Sequence, residues 1–180
     1  IDTGIRPENP MFDSNGHVRP ESLPTDDYCA TTDENFCNDK LVVARFYPPN
    51  FALHTSEEMS PLDVNGHGSH VAGTAAGNHV NINYENIDLG FSGVAPGASL
   101  MVYKALWLTP EGQGSGSTTG LVTALEDAIA DGADVINNSW GGGPGGDPAN
   151  SVYTSIFNAA EEAGIVVVTA AGNDGPGAQT

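Results

Sequence analysis

STTGLVTALEDAIADGADVINNSW, residues 117–140, sets the fold class. Leu121, Val122, Leu125, Ala128 and Ile129 recur at short intervals that place them on one face of a helix. Gly132 suits the position just past that helix, where a left-handed backbone ends it. The period then changes, and ADVINNSW has the length and apolar content of a strand. The same alternation repeats downstream. After the loop GGGPGGDP, the segment SVYTSIFNAAEEAG aligns Val152, Ile156, Phe157 and Ala160 on a second helical face, and IVVVTAAG (165–172) is an apolar strand. Upstream, SLMVYKALWL (99–108) reads as a buried strand running into the glycine-rich EGQGSGS. Strand, helix, strand, helix, strand with near-continuous apolar strands predicts an α/β fold with a parallel sheet covered on both faces.

Farther out the pattern thins. LVVARFY (41–47) is a strand stopped by PPN, and INYENIDLGFSGVA reads as a hairpin. Residues 1–40 are rich in Pro, Asn and Asp and read mostly as loops. There is no internal repeat and no sign of a second domain. The chain opens on IDTGI, like a strand already under way, and ends on the turn GNDGPGAQT, so both ends read as cuts in a longer protein.

Charge narrows the partners. Asp and Glu number 23 against five Lys and Arg (Arg6, Arg19, Lys40, Arg45 and Lys104), for a net −18 over 180 residues. Such a surface repels nucleic acid and anionic membranes, and no run approaches transmembrane length. The plain reading of the acidity is solubility. The sharper one is structural calcium, for which Asp26-Asp27 and Asp33-Glu34 offer oxygen ligands, though no ordered calcium-loop spacing is present. Cys29 and Cys37 sit in DDYCATTDENFCND, which has little apolar surface to bury free thiols. A short disulfide-closed loop, and with it an oxidising compartment, is the better reading.

In open α/β sheets functional groups collect at the carboxyl ends of strands. That rule selects Asp2, Gly114 to Gly116, Ser139 to Gly142 and Asn173. His67 stands between two glycines at a helix start, with Asn65 a candidate cap, and the small residues after His70 would let this helix pack close. An acid, a histidine and an amide donor suit acyl transfer. A nucleophile is missing from the set: Ser69, Ser115 and Ser139 do not stand in a glycine-flanked elbow. A metal hydrolase built on His67 and His70 is the rival. Zinc sites of this type want a third ligand and usually a glutamate between histidines four apart, whereas Gly68-Ser69 intervenes here.

IDTGI, NGHGSHVAGTAAG, SGVAPGASLMVYKAL, DVINNSWGG and VTAAGNDG, in this order, closely resemble motif blocks of the subtilisin-like serine proteases. The resemblance covers almost the whole chain apart from the cysteine-bearing loops. It implies a three-layer, doubly wound parallel sheet truncated at both ends, with residues 1–180 the N-terminal portion of one peptidase domain. By position it implies that Asp2 is the triad aspartate, His67 the general base and then acid, and Asn173 the oxyanion donor. Gly114-Ser115-Gly116 and Ser139-Trp140-Gly141 resemble the backbone strands that clasp an extended peptide. Ala170, Ala171 and Gly172, with Ser139 to Gly141, resemble the walls of a pocket for a large apolar residue, and Asp147 and Asp174 fall at its margins. His70 becomes a packed structural residue.

The implied protein is a secreted endopeptidase acting on protein or peptide substrates, without nucleic acid or membrane, and with an inhibitory propeptide open as a further partner. Three departures accompany the resemblance. The family's serine block is absent from these 180 residues, NHVNINYENIDLG replaces its common calcium loop, and GNDGPG stands where some secreted members insert a protease-associated domain. A catalytically inactive peptide-binding protein on the same fold is the alternative.

Overall fold

The structure of the chain, a computed structural model, describes residues 1–142, 148–173 and 175–176. Its centre is the parallel pair β1 (Leu41–Phe46) and β4 (Leu100–Lys104), paired from Leu41 with Leu100 to Phe46 with Lys104 with a register shift between Leu41 and Val43. Both strands are apolar along most of their length, so both faces need cover. On one face Val42, Val43 and Tyr103 pack with Leu121, Ala124, Leu125 and Ala128 of α3 (Thr118–Ala130). On the other, Leu41, Ala44 and Val102 meet Ile5, Phe12, Phe36 and the two cysteines. Each large aliphatic side chain buried here contributes about 1.5–3 kcal/mol.

The helix read from the opening stretch forms for the expected reasons. Ser117 caps it by accepting the Gly120 amide at 3.1 Å, and Gly132, at φ +82°, turns the chain out. β7 (Val135–Asn138) and β8 (Val166–Thr169) pair in parallel, with α4 (Val152–Glu162) crossing between them. Ile136, Ala160 and Ile165 join the α3 core.

One expectation needs correction. SLMVYKALWL is not one strand. It breaks at Ala105 and Leu106, whose amides both donate to the Asp2 carbonyl at 3.1 and 3.2 Å. Trp107–Leu108 then forms β5, antiparallel to β6 (Gly114–Ser115). Among the described residues the strands pair two by two, making four two-stranded ladders. Between β4 and β7 lie only Ile1, whose amino group donates to Asn137 O, and Asp2, whose amide donates to Tyr103 O. Two residues are too few to make a ladder of their own, so the fold stands as mixed α/β with separate strand pairs.

The hairpin expectation holds. β2 (Val80–Tyr84) and β3 (Ile87–Phe91) join through Glu85 and Asn86, both at positive φ, the geometry that suits a tight two-residue turn. The hairpin leaves Ile82, Tyr84, Ile87, Leu89 and Phe91 exposed. No helix among the described residues is long and apolar enough to cross a membrane.

Candidate active site

α2 (His67–Ala76) begins at the histidine because the chain turns sharply one residue earlier, with Gly66 at φ +94° in the capping position. Asn65 was the expected cap, and its Oδ1 does accept the His67 amide at 3.2 Å. The stronger cap is Asp63, which takes the Ser69 amide at 2.9 Å and the Ser69 hydroxyl at 2.7 Å. His67 is therefore the first residue of a well-anchored helix, with its side chain half exposed (50%).

Asp2 meets it from the opposite side. Its Oδ1 lies 2.7 Å from His67 Nδ1 and also accepts the Thr3 amide at 2.8 Å, while the Asp2 side chain is only 9% exposed. The approach depends on glycine. A Cβ on Gly68 would run into the carbonyl oxygen of Gly4 and come within 3.1 Å of the Thr3 amide. Backbone thus lies on backbone, and the Gly68 amide donates to Thr3 Oγ1 at 2.8 Å. With Nδ1 turned to the carboxylate, Nε2 is the ring nitrogen left for other partners.

Two buried groups that the sequence reading passed over support this pair. Asp63, 1% exposed, accepts from Thr3, Asn65, Gly66 and Ser69. Burial works to raise its pKa, yet the bonds from the Ser69 hydroxyl, the Gly66 and Ser69 amides and the Thr3 hydroxyl hold it below the ordinary carboxylate value. Its signal was present in DVNGHGSH: an acid shortly before a glycine-marked helix start. Lys104, which bridges Asp2 in parallel, is the other. Its Nζ binds Glu57 Oε2 and Leu62 O, each at 2.6 Å, over the face of Trp107 at 4.5 Å, and neither charged side chain is exposed. A lysine inside the apolar run MVYKAL was the clue.

The substrate-strand candidates fall in two places. Gly114 and Ser115 form β6, and a Cβ on Gly114 would lie 3.7 Å from Thr3 Cγ2 and 4.0 Å from Asn65 Nδ2, so this strand runs beside the Asp2–His67 pair. Gly116 is held against Ala105 O and Leu106, where a Cβ would come within 2.7 Å of both. Ser139 and Trp140 follow β7. The Ser139 hydroxyl accepts Asn137 Nδ2 at 2.9 Å, and half-buried Trp140 stacks edge-on to Tyr153. Gly141, Ala171, Gly172 and Asn173 are exposed beyond β7 and β8. Asn173 makes no hydrogen bond to Asp2 or His67. Asp147 and Asp174 lie outside the described residues.

His70 is exposed rather than packed. Among the described residues the one acidic, thiol and imidazole cluster with ligand-like spacing is Asp27, Cys29 and Cys37, and those cysteines are bonded to each other. Their Cα atoms are 5.8 Å apart. Contrary to the polar look of the loop, the bridge is buried, because Phe12 and Leu41 from outside the loop pack with it alongside Phe36. Of the four carboxylates put forward for calcium, Asp26 and Asp27 already have protein partners. Asp27 accepts the Ala30 and Ala44 amides on its two oxygens, and Asp26 binds Arg45.

A family model described as the Subtilase family matches residues 1–180. Curated relatives include the subtilisin-like proteases SBT3.3, SBT1.5 and SBT2.3 of Arabidopsis thaliana, which are 38%, 36% and 36% identical over 100% of this chain. The chain spans about a quarter of their length, namely 25%, 24% and 23%. A match that leaves no residue of the chain outside it speaks to common descent, and on that ground this chain belongs to the subtilase family.

Proposed function

We propose that this chain supplies the general base and its orienting acid to a serine endopeptidase that cleaves extended polypeptides through an acyl-enzyme. The observation that carries the reading is the 2.7 Å contact between buried Asp2 Oδ1 and half-exposed His67 Nδ1. Asp2 fixes the tautomer and stabilises the imidazolium, and His67 Nε2 takes the proton of a serine hydroxyl and later delivers it to the leaving amine. The serines at hand are poor nucleophiles. Ser69 Oγ donates to Asp63 and accepts the Arg6 amide, and Ser139 Oγ accepts from Asn137. The nucleophile is therefore assigned outside these 180 residues.

Asn173 is the oxyanion donor in this reading. Gly114, Ser115 and Gly116 pair with substrate along one edge, and Ser139, Trp140 and Gly141 along the other. Ala171 and Gly172 wall the pocket for a large apolar residue. The strand pairs belong to a three-layer doubly wound sheet, and residues 1–180 to the N-terminal portion of one peptidase domain. The buried disulfide supports secretion, and an inhibitory propeptide is the natural intramolecular ligand of the cleft.

The test uses the full-length protein with a fluorogenic peptide and a serine-directed fluorophosphonate. His67→Ala is expected to abolish turnover and labelling; unchanged turnover refutes the assignment. Residues 1–180 alone are expected to hydrolyse nothing at an enzyme-like rate. Labelling of a serine within them, with turnover lost when that serine becomes alanine, shows that the nucleophile is here.

A further inference from the structure

We infer that Asp63 is a positioning residue for the Asp2–His67 pair: a buried carboxylate that clamps the neighbours of both partners at once. The inference rests on the peptidase reading above. Its Oδ1 accepts the Thr3 hydroxyl at 2.9 Å and the Asn65 and Gly66 amides at 3.0 and 2.8 Å. Its Oδ2 accepts the Ser69 amide at 2.9 Å and the Ser69 hydroxyl at 2.7 Å. Thr3 is the residue after Asp2, and its Oγ1 goes on to accept the Gly68 amide, next to His67. Ser69, two residues past His67, accepts the Arg6 amide at 3.0 Å. One side chain thus controls two arms, one through Thr3 and one through Ser69, and each arm ties the aspartate strand to the histidine helix.

Only a carboxylate meets this demand. Five donors converge on Asp63 and it has no proton of its own to place. An asparagine would turn an NH2 toward either the Oδ1 donors or the Oδ2 donors, and one arm would open. Because the side chain is 1% exposed, water has little access to repair the loss. Asp2 and His67 touch through one hydrogen bond, so a slide of the strand end against the helix acts directly on the Nδ1 contact. Shifts near 1 Å at such contacts cost about 100-fold in rate.

A carboxylate that merely caps a helix would lower stability and leave the chemistry alone, so the experiment separates the two. In the full-length protein, Asp63→Asn is compared with Asp27→Asn and His67→Ala. Asp27 is an equally buried carboxylate, 4% exposed, that caps α1 (Tyr28–Thr31) away from the pair. Each variant is assayed at a temperature where circular dichroism shows it folded, reading kcat and KM and, in the two aspartate variants, the proton NMR signal of His67 Nδ1–H. Asp63→Asn is expected to lower kcat by roughly 10- to 100-fold, leave KM within about twofold, and shift or broaden the Nδ1 signal. Asp27→Asn is expected to lower the melting temperature with kcat and the signal intact.

The inference is overturned if Asp63→Asn keeps kcat and the Nδ1 signal, whatever it does to stability, or if Asp27→Asn lowers kcat as far. If Asp63→Asn does not fold, Thr3→Val and Ser69→Ala open one arm each. A several-fold loss of kcat from either supports the clamp, and unchanged kcat in both overturns it. Turnover that survives His67→Ala refutes the peptidase reading itself and is recognisable as that separate failure.

Discussion

Replacing Glu57 by alanine removes the counter-charge of a lysine that water does not reach. Lys104 Nζ would keep only the Leu62 carbonyl and the face of Trp107, and the Leu108 amide, now 2.7 Å from Glu57 Oε1, would lose its acceptor. Burial already presses the Lys104 pKa below its ordinary value against the pull of Glu57, so the ammonium is poorly solvated as it stands. Breaking a buried pair from one side costs about 3–5 kcal/mol. For a domain of this size each kcal/mol moves the midpoint by roughly 2–4 °C, so the expected fall is roughly 6–20 °C. Lys104→Met should cost as much, since it strands Glu57 instead. The double variant Glu57→Ala/Lys104→Met removes both charges and should be no less stable than either single variant. Glu8→Ala, which breaks the exposed Arg6–Glu8 contact at 3.5 Å, is the control and should stay within about 0.5 kcal/mol of the parent. Calorimetry and urea melts of the purified proteins give the full cycle. Single-variant costs below about 1 kcal/mol, or costs that add to within about 0.5 kcal/mol in the double variant, refute the reasoning.

Gly68→Ala forces a methyl group into the Gly4 carbonyl; about 1–3 kcal/mol of stability should go with it, and peptidase activity should fall far more than stability explains. An unaffected enzyme contradicts the close approach. Asp63 has a folded pKa below the unfolded value of about 3.9, so its contribution is full above that value and is lost as pH falls through the folded pKa. The stability gap between parent and Asp63→Asn in urea melts should be flat above about pH 5 and close below about pH 4; a gap that widens in acid rules this out. Removing the Cys29–Cys37 bridge as a double serine variant should cost about 2–3 kcal/mol from loop entropy, and equal denaturation midpoints with and without reductant would contradict it.

Local periodicity was readable where one core decides it. Leu121, Leu125 and Ala128 face the β1–β4 pair, and their spacing alone announced α3. The hairpin was readable because its turn is two residues long. The break at Ala105–Leu106 was not, since it is imposed by the Asp2 carbonyl from the far end of the chain, and nothing in KALW encodes that. The depth of the disulfide was hidden for a similar reason: Cys29 and Cys37 sit in a polar string but pack with Phe12 and Leu41, which the string does not contain. At the site, the motif order singled out Asp2 and His67, which lie in hydrogen-bond contact, and the glycines flanking His67 pointed to the close approach. The carboxylate that secures both, Asp63, was missed because its role is a sum of five hydrogen bonds rather than a motif position.

The contacts that join the aspartate strand to the histidine helix span almost the same stretch of chain. Thr3 to Asp63, Arg6 to Ser69, and Asp2 to His67 bridge separations of 60, 63 and 65 residues. Closing a loop of that length costs about 3–4 kcal/mol from its length alone, and the cost falls on whichever contact forms first. The others then form within an already closed loop, so the group assembles together or not at all. For a protein proposed to cut polypeptides this sets a chronology. A half-folded copy, the most digestible substrate in its surroundings, lacks a base, and only a copy that has closed the loop, and is itself compact, acquires one.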